Sequence, residues 1–171
     1  MKRLIAAGFG MAALLALAAC GASTHSASSS TTSSAASNTT PAAPSKPEAA
    51  KNYLAIVTPA NSAVAAFSKA ANAWTNSTTN KQAESAAEPL ISALQTTDLK
   101  LLAATWPNAQ TTADIHALVN ADGAVIGDLL ALSTVNLLNA STWESAFERD
   151  VTALSTAADT ARSDLGLPPN S

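Results

Sequence analysis

The chain predicts an all-α fold: an antiparallel four-helix bundle behind a signal peptide and a disordered linker. Three observations predict it. Four stretches between residues 47 and 168 repeat apolar side chains at three- and four-residue spacing. Strand-like alternation of apolar and polar residues is missing from them. Glycine in this part is confined to Gly123, Gly127 and Gly166, so little interrupts long helices.

The first helix is expected from about Glu48 to Trp74. Ser45-Lys46-Pro47-Glu48 has the Ser-x-x-Glu form of a capping box, with a proline tolerated in the first turn. Leu54, Val57, Val64, Phe67, Ala71 and Trp74 make its apolar stripe. Pro59 falls inside that stripe. It removes a backbone hydrogen bond and is expected to kink or split the helix near Thr58. A polar turn over 76–80 leads into a second helix, about Lys81 to Ala104, with Leu90, Ile91, Leu94, Leu101 and Leu102 on its apolar side. Pro89 marks a kink or a restart, and Trp106-Pro107 ends the element.

The third helix is expected from about Thr112 to Leu132, with an extension to Leu138 left open, on a stripe of Ile115, Leu118, Val125, Leu129 and Leu132. The fourth opens on a second capping box, Ser141-Thr142-Trp143-Glu144. Trp143, Phe147, Val151, Leu154, Ala158, Ala161 and Leu165 then follow along one face. Gly166 is placed to end it in a left-handed conformation, and Pro168 and Pro169 prevent continuation. Short connections between four amphipathic helices favour up-down packing.

The segment ahead of this domain changes character twice. Lys2 and Arg3 give a positive start, and the 16 residues from Leu4 to Ala19 are apolar and uncharged. A helix of that length spans roughly 24 Å, short of the ~30 Å hydrocarbon core, which is the anatomy of a secretory signal rather than a permanent span. From Gly21 to Lys46, Ser, Thr, Ala and Pro fill almost every position, and no aliphatic side chain is larger than Ala. Such a stretch cannot bury enough apolar area to offset its ordering entropy, so a disordered tether is expected. As a flexible coil of about 25 residues it reaches roughly 25–30 Å, and more where proline stiffens it. It is either a plain spacer or an O-glycosylated one. The expected organisation is therefore residues 1–19 as a cleaved signal, 20–46 as the linker, 47–168 as the helical domain and 169–171 as a tail.

Leu17-Ala18-Ala19-Cys20 joins the two parts, and Cys20 is the only cysteine. This tetrapeptide resembles the lipobox of bacterial membrane lipoproteins. The resemblance covers about the first 21 residues. It implies that the Cys20 thiol receives a diacylglyceryl group and that cleavage occurs in front of it. The lipidated Cys20 is then the first residue of a mature chain held on the extracytoplasmic face of the cell membrane. The wider layout of lipobox, Ser/Thr/Ala/Pro tether, Ala-rich domain and Arg162-Ser163-Asp164-Leu165-Gly166-Leu167-Pro168-Pro169 tail resembles small cell-envelope lipoproteins of actinobacteria, mycobacteria among them. That likeness rests on composition and one short tail, and it implies location rather than mechanism.

Charge and motifs narrow the function further. Without Lys2 and Arg3 the chain keeps 7 basic against 12 acidic residues, a balance that disfavours nucleic acid. A Gly-rich phosphate loop, a Gly-x-Ser-x-Gly elbow and a His-Glu-x-x-His pair do not occur. His116 is the one histidine of the domain, and Asp114, two residues away, lies on another helix face. It reads as a surface or groove histidine. His25 reads as a solvated tether residue. Glu144, Glu148, Arg149 and Asp150 read as a solvated face with local ion pairs. No catalytic, cofactor-binding or metal-ligating set is expected.

Two polar residues fall on apolar seams: Asn61 between Val57 and Val64, and Asp122 between Leu118 and Val125. Each either sits at a seam edge, or is buried and bonded, or marks a polar spot in a ligand cavity. Asn61 would meet the carbonyl freed by Pro59. Asp122 would meet a Trp indole, a backbone group or Asn61. Tyr53, Phe67, Trp74, Trp106, Trp143 and Phe147 are read as core or helix-end plugs in preference to a pocket lining. The expected function is a non-enzymatic binding or interaction domain, with an envelope protein as partner. The alternative is a carrier or sensor holding a small apolar ligand inside the bundle.

Overall fold

In the computed structural model, which describes residues 42–75, 77–136 and 138–170, four α-helices follow one another with no strand among the described residues. They are α1 (Lys46–Asn72), α2 (Asn80–Ala103), α3 (Ala109–Leu130) and α4 (Ala140–Asp164), with one short 3-10 turn, Ala131–Thr134, after α3. Consecutive helices pack on one another, α3 on α4 most extensively, then α1 on α2 and α2 on α3. The all-α bundle predicted from periodicity is the observed fold. The expected signal, Cys20, His25 and most of the expected linker lie outside the described residues.

Local chemistry sets the helix ends. At the start of α1 the Ser45 N–H and hydroxyl both donate to Glu48 Oε2, at 3.0 and 2.6 Å. Those bonds, the hydroxyl's first, hold the Glu48 carboxyl below its usual value. The α2 start carries a capping box that the sequence reading overlooked: the Thr79 N–H donates to Gln82 Oε1 (2.8 Å), and the Gln82 N–H donates to Thr79 Oγ1 (3.3 Å). Asn108 caps α3 by accepting from the Thr111 N–H at 2.8 Å. At the end of α4 the Leu167 N–H reaches back to the Arg162 carbonyl (2.8 Å) and the Gly166 N–H to Ser163 (3.0 Å), with Gly166 at φ 74. This is the six-to-one closure that a left-handed glycine allows.

Five expectations need correction. Pro59 does not split the first helix; α1 runs through it. Both Pro59 and Ala55, whose carbonyl it frees, face solvent, where water satisfies the carbonyl. Val57, Ala60 and Val64 on the opposite side keep both halves in one buried stripe. Pro89 is likewise exposed inside an unbroken α2. Leu102 is 48% exposed, because the stripe of Leu90 and Leu94 continues through Leu101, fully buried one position earlier. α3 stops at Leu130 and does not extend to Leu138. The residue capping α4 is Asn139, with Ser141 already inside the first turn, so the second capping box does not form. Asn139 is fixed instead by the preceding loop, where its Oδ1 accepts from the Asn136 N–H at 2.6 Å.

Polar clamps tie elements together. Asn80 Nδ2 donates to the carbonyls of Ser133 (3.2 Å) and Val135 (2.6 Å), pinning the start of α2 to the segment after α3. Thr111, fully buried, donates through its hydroxyl to Asp164 Oδ2 (3.0 Å), tying the start of α3 to the end of α4. Both are the pairings antiparallel neighbours make.

Nine of the 26 buried apolar side chains are alanines, so the helices approach closely and the interior is narrow. Ala109–Thr134 is the one stretch among the described residues long and apolar enough to cross a membrane, with mean hydropathy 1.4. Here it packs against α2 and α4, with 39% of its apolar window buried and Asp122 inside.

Core and surface leucines of α2 should separate cleanly. Leu101→Ala, at a side chain with no exposure, is expected to cost about 2–5 kcal/mol. Leu99→Ala, at a side chain 70% exposed, should stay within about 0.5 kcal/mol. Denaturant midpoints of the two variants measure this; equal losses would contradict the assigned face.

Candidate functional site

The chemistry of the bundle concentrates where its helices bring ionisable groups inside. Each helix contributes: Tyr53 from α1, Asp98 from α2, Asp122 from α3, and Asp159 and Arg162 from α4. Asp122 is buried because it lies on the apolar stripe of α3, four residues after Leu118 and three before Val125; only 4% of it is exposed. Asp98 follows the buried Thr97 and is half-buried.

Asp98 and Asp122 act on one another across the α2–α3 seam. Oδ1 of each is buried without a hydrogen-bond partner. Neighbouring ionised carboxylates repel, and neither offers a donor, so ionising both is disfavoured. Burial is the larger force on Asp122, followed by the charge of Asp98 and the bond to it; together they push the Asp122 carboxyl up to about 8. Burial raises Asp98 as well, while the bond from Asp122 works the other way. Asp122, the more deeply buried acid, is the one held further toward its neutral form.

The second half of the cluster is Tyr53 with Arg162. Tyr53 is 1% exposed and Arg162 3%. Arg162 is drawn inside by its neighbours Ala161 and Leu165 on the apolar stripe of α4. Its Nε donates to the Pro168 carbonyl at 2.7 Å, and Nη1 is buried without a partner. The Asn170 N–H donates to Asp159 Oδ1 at 2.8 Å. The guanidinium and Asp159 thus fold residues 168–170 back along α4. Burial pushes the Tyr53 phenol up to about 12; Arg162 opposes this, and Asp122 and Asp159 add to it.

Other residues singled out in the sequence lie apart from this cluster. His116 is exposed, and Asp114 accepts from Gln110 Nε2 at 2.9 Å. Asn61 is half-buried at a seam edge. On the solvated face of α4, Arg149 and Asp150 form the one ion pair found among the described residues, at 2.8 Å. Asp128 from α3 stands against that pair, with its carboxyl raised by burial first and by Asp150 second. Tyr53, Phe67, Trp106 and Phe147 are core side chains. Phe67 meets Trp74 edge-on at 5.8 Å, and Trp143 stacks on Phe147 at 5.2 Å. The Trp106 and Trp143 indoles donate to the Leu101 and Asp128 carbonyls, at 3.1 and 2.7 Å, as plugs at helix ends. Asp122 meets neither of these indoles; its neighbour is Asp98. No group of three or more His, Cys, Asp or Glu side chains suited to a metal occurs among the described residues. An open depression of about 560 Å³ is edged by Ser77, Thr79, Lys81, Gln82 and Ser85.

Asp122 was legible as a polar group on an apolar seam, whereas Asp98 and Arg162 were missed. The signal for Arg162 was its place beside Ala161 in the α4 stripe. Asp98 carried no local signal, because its neighbour lies on a different helix. What the arrangement does chemically is favour the neutral form of a buried acid in a narrow apolar interior. No protein-family model, curated protein or solved structure matches this chain.

Tyr53 is the only tyrosine in the chain, so phenolate absorbance reads it alone. In the folded chain the titration should run to about 12, or break only when the helices unfold, against about 10 for an unfolded chain. A midpoint near 10 with helix content intact would contradict the burial of the ring.

Proposed function

We propose that this chain is a membrane-anchored extracytoplasmic lipoprotein whose helical domain serves as a non-enzymatic binding or interaction domain in the cell envelope. The observation that carries this reading is Leu17-Ala18-Ala19-Cys20 behind a short apolar signal, with the sole cysteine where the lipid is attached. Two acyl chains hold a protein stably at a bilayer where one holds it marginally, at about 0.8 kcal/mol per buried CH₂. The position of the first helix supports the division of labour: α1 begins at Lys46, where the Ser/Thr/Ala/Pro composition ends. The lipid holds the membrane, the tether supplies reach, and the acidic domain faces an envelope partner.

The carrier reading draws no support from the depression at Ser77–Ser85, which is open to solvent rather than enclosing. Native mass spectrometry of the purified full chain separates the two: the polypeptide plus covalent lipid alone fits the interaction domain, and an additional bound apolar molecule fits the carrier.

Cys20→Ser should abolish lipid addition and leave a precursor that retains residues 1–19. Intact-mass analysis of the membrane fraction checks this. Normal cleavage and membrane retention of the variant would overturn the anchor.

A further inference from the structure

We propose that residues 168–170 form a releasable strap at the α1–α4 edge of the bundle, wedged between Asp159 and Arg162, and that these two side chains pair with each other when it lifts. The closed contact consists of two hydrogen bonds. Arg162 Nε donates to the Pro168 carbonyl at 2.7 Å, and the Asn170 N–H donates to Asp159 Oδ1 at 2.8 Å. The strap therefore runs back against the direction of α4, with residue 168 level with Arg162 and residue 170 level with Asp159. Pro168 and Pro169 face solvent, while both polar atoms of the Asn170 side chain are buried.

Asp159 and Arg162 stand three residues apart on α4, a spacing at which opposite charges meet on a helix surface. They form no ion pair with each other; among the described residues that contact is made by Arg149 and Asp150. Each instead bonds the backbone of the strap. This closed arrangement carries costs that the open one relieves. The guanidinium, 3% exposed, has a neutral carbonyl as partner, where a carboxylate would make a stronger, charge-assisted bond. Arg162 Nη1 and the Asn170 Nδ2 and Oδ1 are buried without a hydrogen-bond partner, which disfavours the closed state. When the strap lifts, the Asn170 amide returns to water and the two α4 charges meet. Release thus exchanges one set of contacts for another and strands no buried cation.

The strap controls the seam beside it. α1 and α4 are not among the helix pairs whose backbones approach closely, yet Tyr53 of α1 is 1% exposed. α1 and α4 run antiparallel, so the early turns of α1 lie level with the end of α4, and both Arg162 and Asp159 act on Tyr53. Lifting the strap opens a path to Tyr53 while the helices stay folded, as a local opening.

Tyr53 is the sole tyrosine, so its nitration in the folded full chain, read by mass spectrometry, reports this seam alone. The Arg162 Nε–H, followed by NMR, reports the guanidinium. Asn170→Pro removes the N–H given to Asp159, and Asp159→Ala removes the acceptor. Helix circular dichroism checks that both variants stay folded. Each should be nitrated roughly tenfold faster than wild type, the effect of losing one hydrogen bond to a charged group. The Arg162 Nε–H should stay protected from solvent exchange in Asn170→Pro, where Asp159 takes it up, and lose protection in Asp159→Ala. Wild-type nitration rates in both variants would overturn the strap, and Asp159→Ala decides this alone if Asn170→Pro does not fold. An Arg162 Nε–H equally protected in the two variants would overturn the exchange of partners.

Discussion

The structure turns on one constraint: an acid is buried on the central stripe of α3 and has to be neutral there. Asp122 stands between Leu118 and Val125 in an interior that alanines make narrow. An ionised carboxylate in such a place is costly, and the usual response is to keep the proton or find a cation. Here burial first and the charge of Asp98 second hold the Asp122 carboxyl toward its neutral form.

Around this centre the fold is held mainly by apolar stripes and closed by polar contacts at its ends. Asn80 binds the segment after α3, Thr111 binds Asp164, and Arg162 and Asp159 bind the residues that follow α4. Each ties a helix to another element or to the C-terminal residues. Most of the polar chemistry of the domain is thus internal. The exposed apolar side chains, Leu99, Leu102, Leu130 and Leu138, are scattered near helix ends. Such a domain fits a part carried on a tether better than one that must hold the membrane itself, which the proposed lipid on Cys20 would do.

Much of the fold was legible because it depends on local spacing. Four stripes gave four helices, Ser45 and Glu48 met as their spacing required, and Gly166 took the left-handed turn. Misreadings arose where tertiary context outweighed a local rule. Pro59 and Pro89 were read as breaks, yet both face water, where a freed carbonyl is harmless. Leu102 looked as apolar as Leu101, but the seam has room for one of them. Ser141 had the form of a cap, and the Asn136–Asn139 contact moved the helix start ahead of it. The cluster was legible only in part. Asp122 could be marked from its neighbours in sequence, while its neighbour in space, 24 residues away, could not. The lipobox reading depends on residues outside those described and keeps the weight of its own sequence.

The central claim is that Asp122 holds a proton at neutral pH. Carboxyl carbon chemical shifts of the aspartates, assigned by NMR and titrated from pH 3 to 10 on the full chain, measure it directly. The account predicts an Asp122 midpoint of about 8, with a raised Asp98 beside it and a lower Asp122 midpoint in Asp98→Asn. An Asp122 midpoint near 4, with the helices intact, would contradict it.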